Sequence, residues 1–210
     1  MNPTLPDDLR HALATLLADG QRRLIGLVGP PGAGKSTLSA AILAALPGQA
    51  QVVPMDGYHL AQRELERLGR AHRKGAPDTF DAAGYVALLR RLREQRADEI
   101  VYAPEFRREI EEPIANAIPV FAHTPLIVTE GNYLLLEDGP WAQVRGLLDE
   151  VWYIDTDEAA RGAWLLARHM HHGRSAEAAA AWIAGTDEPN ARLIAAGKAR
   201  ADRQVRWPPA

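Results

Sequence analysis

Residues 29–36 read Gly-Pro-Pro-Gly-Ala-Gly-Lys-Ser, a complete GxxxxGK[ST] pattern, set between the apolar run Leu24-Ile25-Gly26-Leu27-Val28 and the helix-compatible stretch TLSAAILAAL. A strand that feeds a glycine-rich turn opening a helix is the first half of a βαβ unit. Gly29, Gly32 and Gly34 let the main chain curve around an anion, so that successive N–H groups and the positive end of the next helix face it. Pro30, Pro31, Ala33 and Thr37 complete the stretch expected to border that anion. Lys35 adds a mobile ammonium that reaches β- and γ-phosphates, and the Ser36 hydroxyl is spaced to ligand a bridging magnesium ion. The pattern predicts a bound nucleoside triphosphate, with ATP and Mg2+ as the expected pair.

The chain has 210 residues, 47% of them hydrophobic, enough for a sizeable core and suited to a single domain over 1–210. Its 24 basic and 27 acidic side chains give a net charge of −3, so no broad positive field recruits nucleic acid or an acidic membrane. Cysteine is absent, which excludes disulfides, thiolate zinc sites and a cysteine nucleophile. The first twenty residues lack a basic start followed by an apolar block, and no run approaches about 18 apolar residues. A soluble cytoplasmic protein is expected, with homo-oligomer formation left open.

Asp7 or Asp8 is read as the cap of a helix carrying Leu9, Leu13, Leu16 and Leu17 and ended by Gly20. The strand at 23–28, the loop and a helix over 36–46 follow, then Pro47-Gly48 and a second strand, QVVPM, that delivers Asp56 to the carboxyl edge of the sheet. Arg63, Arg67, Arg70 and Lys74 fall near one helical face and read as solvated. Asp81 is expected to cap a helix through about Gln95, with Tyr85, Leu88, Leu89 and Leu92 inward. The segment 104–119 is polar and proline-broken. LIVTE at 126–130 and VWYI at 151–154 read as buried strands. A long helix bearing Arg161, Arg168 and Arg174 comes next, and DRQVRW offers a last strand. The predicted fold class is α/β, a mainly parallel sheet covered by helices on both faces, with a helical lid at about 160–185.

Phosphoryl transfer needs phosphate clamps, a metal, a group that orients or deprotonates the attacking hydroxyl, and exclusion of water. Asp56, in the setting MDGYH, is the candidate base, and Gly57 is read as leaving room for an acceptor. Glu130, at the end of LIVTE, is the candidate acid beside magnesium. Arg168 and Arg174 are candidate lid cations that neutralise charge on the transferred group. His169, His171 and His172 do not share one helical face and read as surface residues.

Together GPPGAGKS, PMDGYHL, GAPDTFDAAGYVALLRRL, TEGNYLLL and RGAWLLARHMHHGR resemble the uridine kinase, pantothenate kinase and phosphoribulokinase group of P-loop kinases, over about residues 22–207. Within that group the chain looks most like bacterial proteins labelled nucleoside or nucleotide kinase family, or fructose transport system kinase. The resemblance implies a P-loop NTPase fold and transfer of the ATP γ-phosphoryl to a hydroxyl of a small metabolite: a sugar, a nucleoside or a pantothenate-like acid. It implies that Asp56 is the catalytic aspartate, Glu130 the acid near magnesium, and Arg168 and Arg174 the lid arginines. RKGAPDTFD (73–81) is similar to an element that borders the acceptor site in pantothenate kinases. Asp56, Tyr58 and His59 are therefore expected on the acceptor side. Where uridine kinases carry aromatic and histidine contacts to the nucleoside, this chain has APEFRREIEEP. Its Arg107 and Arg108 are expected to favour an anionic or polyhydroxylated acceptor. The competing reading is a nucleotide-dependent ATPase switch or remodelling module, since GPPGAGKS also resembles AAA ATPase loops. Its usual strand ending in Asp-Glu is missing here.

Overall fold

A computed structural model describes residues 4–207. Its strands are β1 (Arg23–Val28), β2 (Ala50–Pro54), β3 (Ile100–Arg107), β4 (Glu112–Phe121), β5 (Leu126–Gly131), β6 (Glu150–Asp155) and β7 (Arg203–Arg206). Its α-helices are α1 (Asp7–Leu16), α2 (Lys35–Ala45), α3 (Gln62–Arg67), α4 (Ala82–Arg93), α5 (Glu158–His171), α6 (Ala176–Trp182) and α7 (Glu188–Ala195). Five strands form one parallel sheet in the order β2-β5-β1-β6-β7, and β3 pairs with β4 as a separate antiparallel hairpin.

Apolar residues fill the central strands because both faces of the sheet are covered. Leu24 and Val28 of β1 join one core with Tyr85, Leu89 and Leu92 of α4, while Ile25 and Leu27 join the other with Leu9 and Leu13 of α1 and Leu38 and Ile42 of α2. On β6, Val151 and Tyr153 face the first core and Trp152 and Ile154 the second. That strict alternation fixes the register, since a slip by one residue would exchange the two faces. Each large side chain so buried contributes about 1.5–3 kcal/mol. The expected parallel sheet with helices on both sides is the architecture found.

Several local expectations need correction. Pro6, not an aspartate, stands at the N-cap of α1, and Asp7 and Asp8 occupy its first turn, where they favour the positive helix end. Residues 62–76 make a short helix and a 3-10 turn rather than one solvated helix, and Arg70 and Arg73 pair with Asp78. The long helix expected to carry three arginines ends at His171, so Arg174 lies beyond it, after a left-handed Gly173. The proline-broken stretch is the β3–β4 hairpin. Its register shifts between Ala103 and Glu105, which accommodates Pro104; Val101, Ala103 and Val120 of the hairpin are buried in the core, and Ile118 packs against it. Among the described residues, no helix is long and apolar enough to cross a membrane.

Candidate active site

Register brings the site together. Glu130 on β5 pairs with Leu27 of β1 on one side and Pro54 of β2 on the other, so the loop after β1, the carboxylate of β5 and the turn after β2 share one sheet edge. Ligands of parallel α/β sheets bind at this carboxyl edge. A cleft of about 850 Å³ opens there.

At the phosphate end, Gly32 and Gly34 adopt φ of 82° and 85°, in the left-handed region that glycine enters without cost. A Cβ at Gly34 would lie 3.0 Å from Trp207, so the indole presses the loop from behind. Gly34 is the N-cap of α2, and Ser36 and Thr37 stand exposed in its first turn. Lys35 donates to the carbonyls of Gly29 (2.7 Å) and Pro30 (3.1 Å) and to Asn132 Oδ1 (2.7 Å). Burial lowers its pKa to about 8 despite the nearby carboxylates of Asp56 and Glu130. Gly29 and Pro30 thus act through their carbonyls. Ala33 is buried, while Pro31, Gly32, Gly34, Lys35, Ser36 and Thr37 line the cleft.

Ser36 Oγ donates to Glu130 Oε1 at 2.9 Å, and Ser39 reaches Oε2 at 3.4 Å. Burial raises the Glu130 pKa, with the hydroxyl bonds and Lys35 opposing. Among the described residues, no group of three His, Cys, Asp or Glu gathers to hold a metal. One carboxylate and one hydroxyl beside a phosphate loop nevertheless fit magnesium, which takes few protein ligands and completes its shell with phosphate oxygens and water. Ser36 and Glu130 would hold it.

Opposite the loop, α5 to α7 form a fastened helical arm. Arg161, 5% exposed, donates to the Pro31 carbonyl (3.3 Å) and pairs with Glu188 (2.6 Å), bracing the phosphate loop instead of facing it. His169, read from sequence as a surface residue, is largely buried and bonded to the Asp187 carboxylate at 2.8 Å. Arg174 stacks on Trp182 at 4.0 Å. Arg168 lines the cleft and has no ion pair among the described residues, and burial together with Arg108 lowers its pKa. Asp187 sits in the π-helical turn Ile183–Asp187 that joins α6 to α7, and it shares the cleft wall with Arg168, His172, Arg174 and Trp182. His171 and His172 are exposed.

At the far end, Asp56 lies in the 3-10 turn Met55–Tyr58, and its carboxylate meets Arg108 at 3.1 Å. The Asp56 carbonyl accepts from His59 Nδ1 at 2.7 Å. His59 lies between Phe80 (4.0 Å) and Phe106 (4.5 Å), tilted 40° to each ring, and burial lowers its pKa, favouring the neutral ring. Gly57 answers a different need from the one expected: a Cβ there would lie 2.4 Å from the Pro104 carbonyl, so glycine lets the β3–β4 hairpin sit down on the turn. Tyr58 turns away from the cleft to meet Tyr85 edge-on at 5.5 Å. Arg107 is exposed, paired with Glu109 at 3.2 Å and outside the cleft lining.

The structure therefore brings Lys35, Ser36, Asp56, His59, Arg108, Glu130, Arg168 and Arg174 into one cleft and leaves Tyr58 and Arg107 outside it. Sequence reading missed Asn132, Lys74, Phe106 and Asp187. TEGN and RKGAPDTFD carried the first two in plain view, whereas Phe106 and Asp187 become site residues only through pairing of distant segments.

With fold and geometry in hand, the chain compares with known proteins as follows. Residues 24–208 match the model of the Phosphoribulokinase / Uridine kinase family, and the chain belongs to that family. It is 35% identical over 176 residues to a Schizosaccharomyces pombe protein named "Putative uridine kinase C227.14", covering 80% of this chain and 74% of that one. It is 34% identical over 194 residues to the Escherichia coli "Uncharacterized protein YggC", covering 89% and 79%. A crystal structure titled "putative fructose transport system kinase", from Silicibacter sp. TM1040, superimposes with a TM-score of 0.82 at 38% identity, covering 94% of this chain and 98% of that chain.

Proposed function

We propose that this protein is an ATP-dependent phosphotransferase that moves the γ-phosphoryl group of ATP to a hydroxyl of a small metabolite. The observation that carries the reading is the meeting, in one cleft, of the Lys35 loop, the Ser36–Glu130 pair and Asp56 from three adjacent strand ends. Family membership supports the same class of reaction, and the two relatives above that carry a kinase name, one of uridine and one of fructose transport, share the reaction class and differ on the acceptor.

Loop N–H groups and the start of α2 cradle the phosphates, and Lys35 leaves its carbonyl partners to pair with the β- and γ-oxygens. Magnesium held by Ser36 and Glu130 would supply further charge neutralisation on those oxygens. Asp56 accepts the proton of the acceptor hydroxyl as its oxygen attacks the γ-phosphorus, and the bond to the β–γ bridging oxygen breaks, releasing ADP. Arg168, without a carboxylate partner among the described residues, is available for charge spreading over the transferred group, a role of the kind that contributes several kcal/mol in a water-poor site. The helical arm excludes water that would otherwise compete with the acceptor.

The test is ADP release from ATP and Mg2+ with a panel of sugars, nucleosides, pantothenate and sugar phosphates. At least one acceptor is expected to raise the rate above the acceptor-free rate. Slow hydrolysis indifferent to every acceptor would remove the kinase reading.

A further inference from the structure

We infer that the acceptor is an anion, a hydroxylated compound carrying a carboxylate or phosphate, and that Arg108 and Lys74 are the side chains that select it. The inference rests on the kinase reading above and concerns the end of the cleft away from the phosphate loop. There, Phe106 holds two cations against its ring: Lys74 Nζ at 5.6 Å and the Arg108 guanidinium at 5.8 Å from the centroid. The same ring packs at a tilt against His59, which packs likewise against Phe80, so an aromatic wall backs a doubly positive edge.

Neither cation is matched by a dedicated carboxylate of its own. Lys74 donates to the main-chain carbonyl of Glu111, which cancels no charge, and among the described residues it makes no ion pair. The Glu111 residue itself is exposed at the rim, at the hairpin tip with φ of 54°. Arg108 has one carboxylate partner, and that partner is Asp56, the proposed base. The base is therefore engaged by the very group that faces the acceptor side of the cleft.

An oxyanion on the acceptor resolves that conflict. Guanidinium groups take carboxylate or phosphate oxygens in paired, charge-assisted hydrogen bonds. As Arg108 turns to such an anion, with Lys74 beside it, Asp56 is left free to receive the hydroxyl proton. An uncharged polyol offers Arg108 nothing stronger than Asp56 and leaves the base engaged. His59, kept neutral by burial and by the two cations, provides a polar edge without adding charge.

The experiment uses matched probes differing in the anion: pantothenate against pantothenyl alcohol, ribose 5-phosphate against ribose, and glycerate against glycerol. Binding is read by calorimetry on the full chain loaded with a non-hydrolysable ATP analogue and Mg2+, so the outcome does not depend on turnover. At least one charged probe is expected to bind about ten-fold or more tightly than its uncharged partner, a hydrogen bond to a charged group being worth at least this much. Whether the carboxylates or the sugar phosphate show it separates the two sources of the anion. Arg108→Met and Lys74→Met, both at solvent-accessible positions, are each expected to erase most of the difference while nucleotide affinity is retained. Equal affinity for charged and uncharged partners, no binding by any charged probe, or a preference that survives both substitutions would overturn the inference. Tight binding of a charged probe with no ADP release from any acceptor would instead remove the kinase reading and leave the anion receptor standing.

Discussion

At the phosphate end of the cleft, eight consecutive residues supply the loop, and Lys35 is held by two carbonyls five and six positions away, with the Asn132 side chain as a third and distant partner. At the acceptor end, Asp56 and Arg108 meet across 52 positions, with Lys74 arriving from a further segment and Phe106 from the strand that leads into Arg108. The first end is made largely of main chain, and in the proposed reaction its N–H groups would take any triphosphate. The second is made of side chains on a turn and a hairpin, which can change charge and shape without disturbing the sheet. In the proposed reaction, one end takes the donor and the other sets the individuality of the protein.

Lys35→Met attacks the phosphate end directly. It is expected to lower turnover by about 10²–10³-fold, the usual scale for removing one transition-state donor, as read in steady-state ADP release. A smaller loss would mean that the main-chain cradle suffices.

Gly57→Ala attacks the acceptor end through packing. The new Cβ would lie 2.4 Å from the Pro104 carbonyl, so the hairpin must move. A cost of about 1–3 kcal/mol is expected from overpacking, seen as a lower Tm, together with a rise in the acceptor KM larger than that in the ATP KM. Equal changes in the two constants would deny that the hairpin belongs to one end only.

Lys35 also gives the phosphate end a pH signature. Its pKa of about 8 in the nucleotide-free protein lies below its ordinary value because burial disfavours the charge, whereas bound phosphate favours it. Above pH 8, nucleotide binding should therefore take up a proton, and affinity should fall by at most about ten-fold per pH unit. Calorimetry in buffers of different ionisation enthalpy measures the uptake. For the nucleotide-free fold the sign reverses: the unfolded chain holds the lysine proton to higher pH, so this group's contribution to stability rises between pH 8 and its unfolded pKa near 10.5.

The same contrast explains what could be read from sequence. The loop, the strands at β1, β5 and β6, and α4 with its Asp81 cap rest on local periodicity and capping, and they fold as expected. The hairpin did not announce itself, because Pro104, Pro113 and Pro119 break the strand pattern. They are tolerated where a ladder shifts or stands exposed, which only the paired structure reveals. His169 gave no sign of its buried bond to Asp187 because the partner sits 18 residues on, beyond another helix. Lys74 read as solvated until a turn replaced the helix that would have pointed it outward. Arg107 and Arg108 are indistinguishable as neighbours in sequence, but β3 ends at Arg107, which pairs with Glu109 in solvent, and Arg108 opens the turn that follows and reaches Asp56 in the cleft.

In the proposed reaction the two ends of the cleft meet at Asp56. The most direct measurement is single-turnover ADP formation by Asp56→Asn, using the best acceptor from the panel, beside nucleotide affinity measured by calorimetry. A fall of about 10²–10⁴-fold in the chemical step, with ATP affinity retained, is the predicted result. A chemical step as fast as that of the unmodified protein would contradict it.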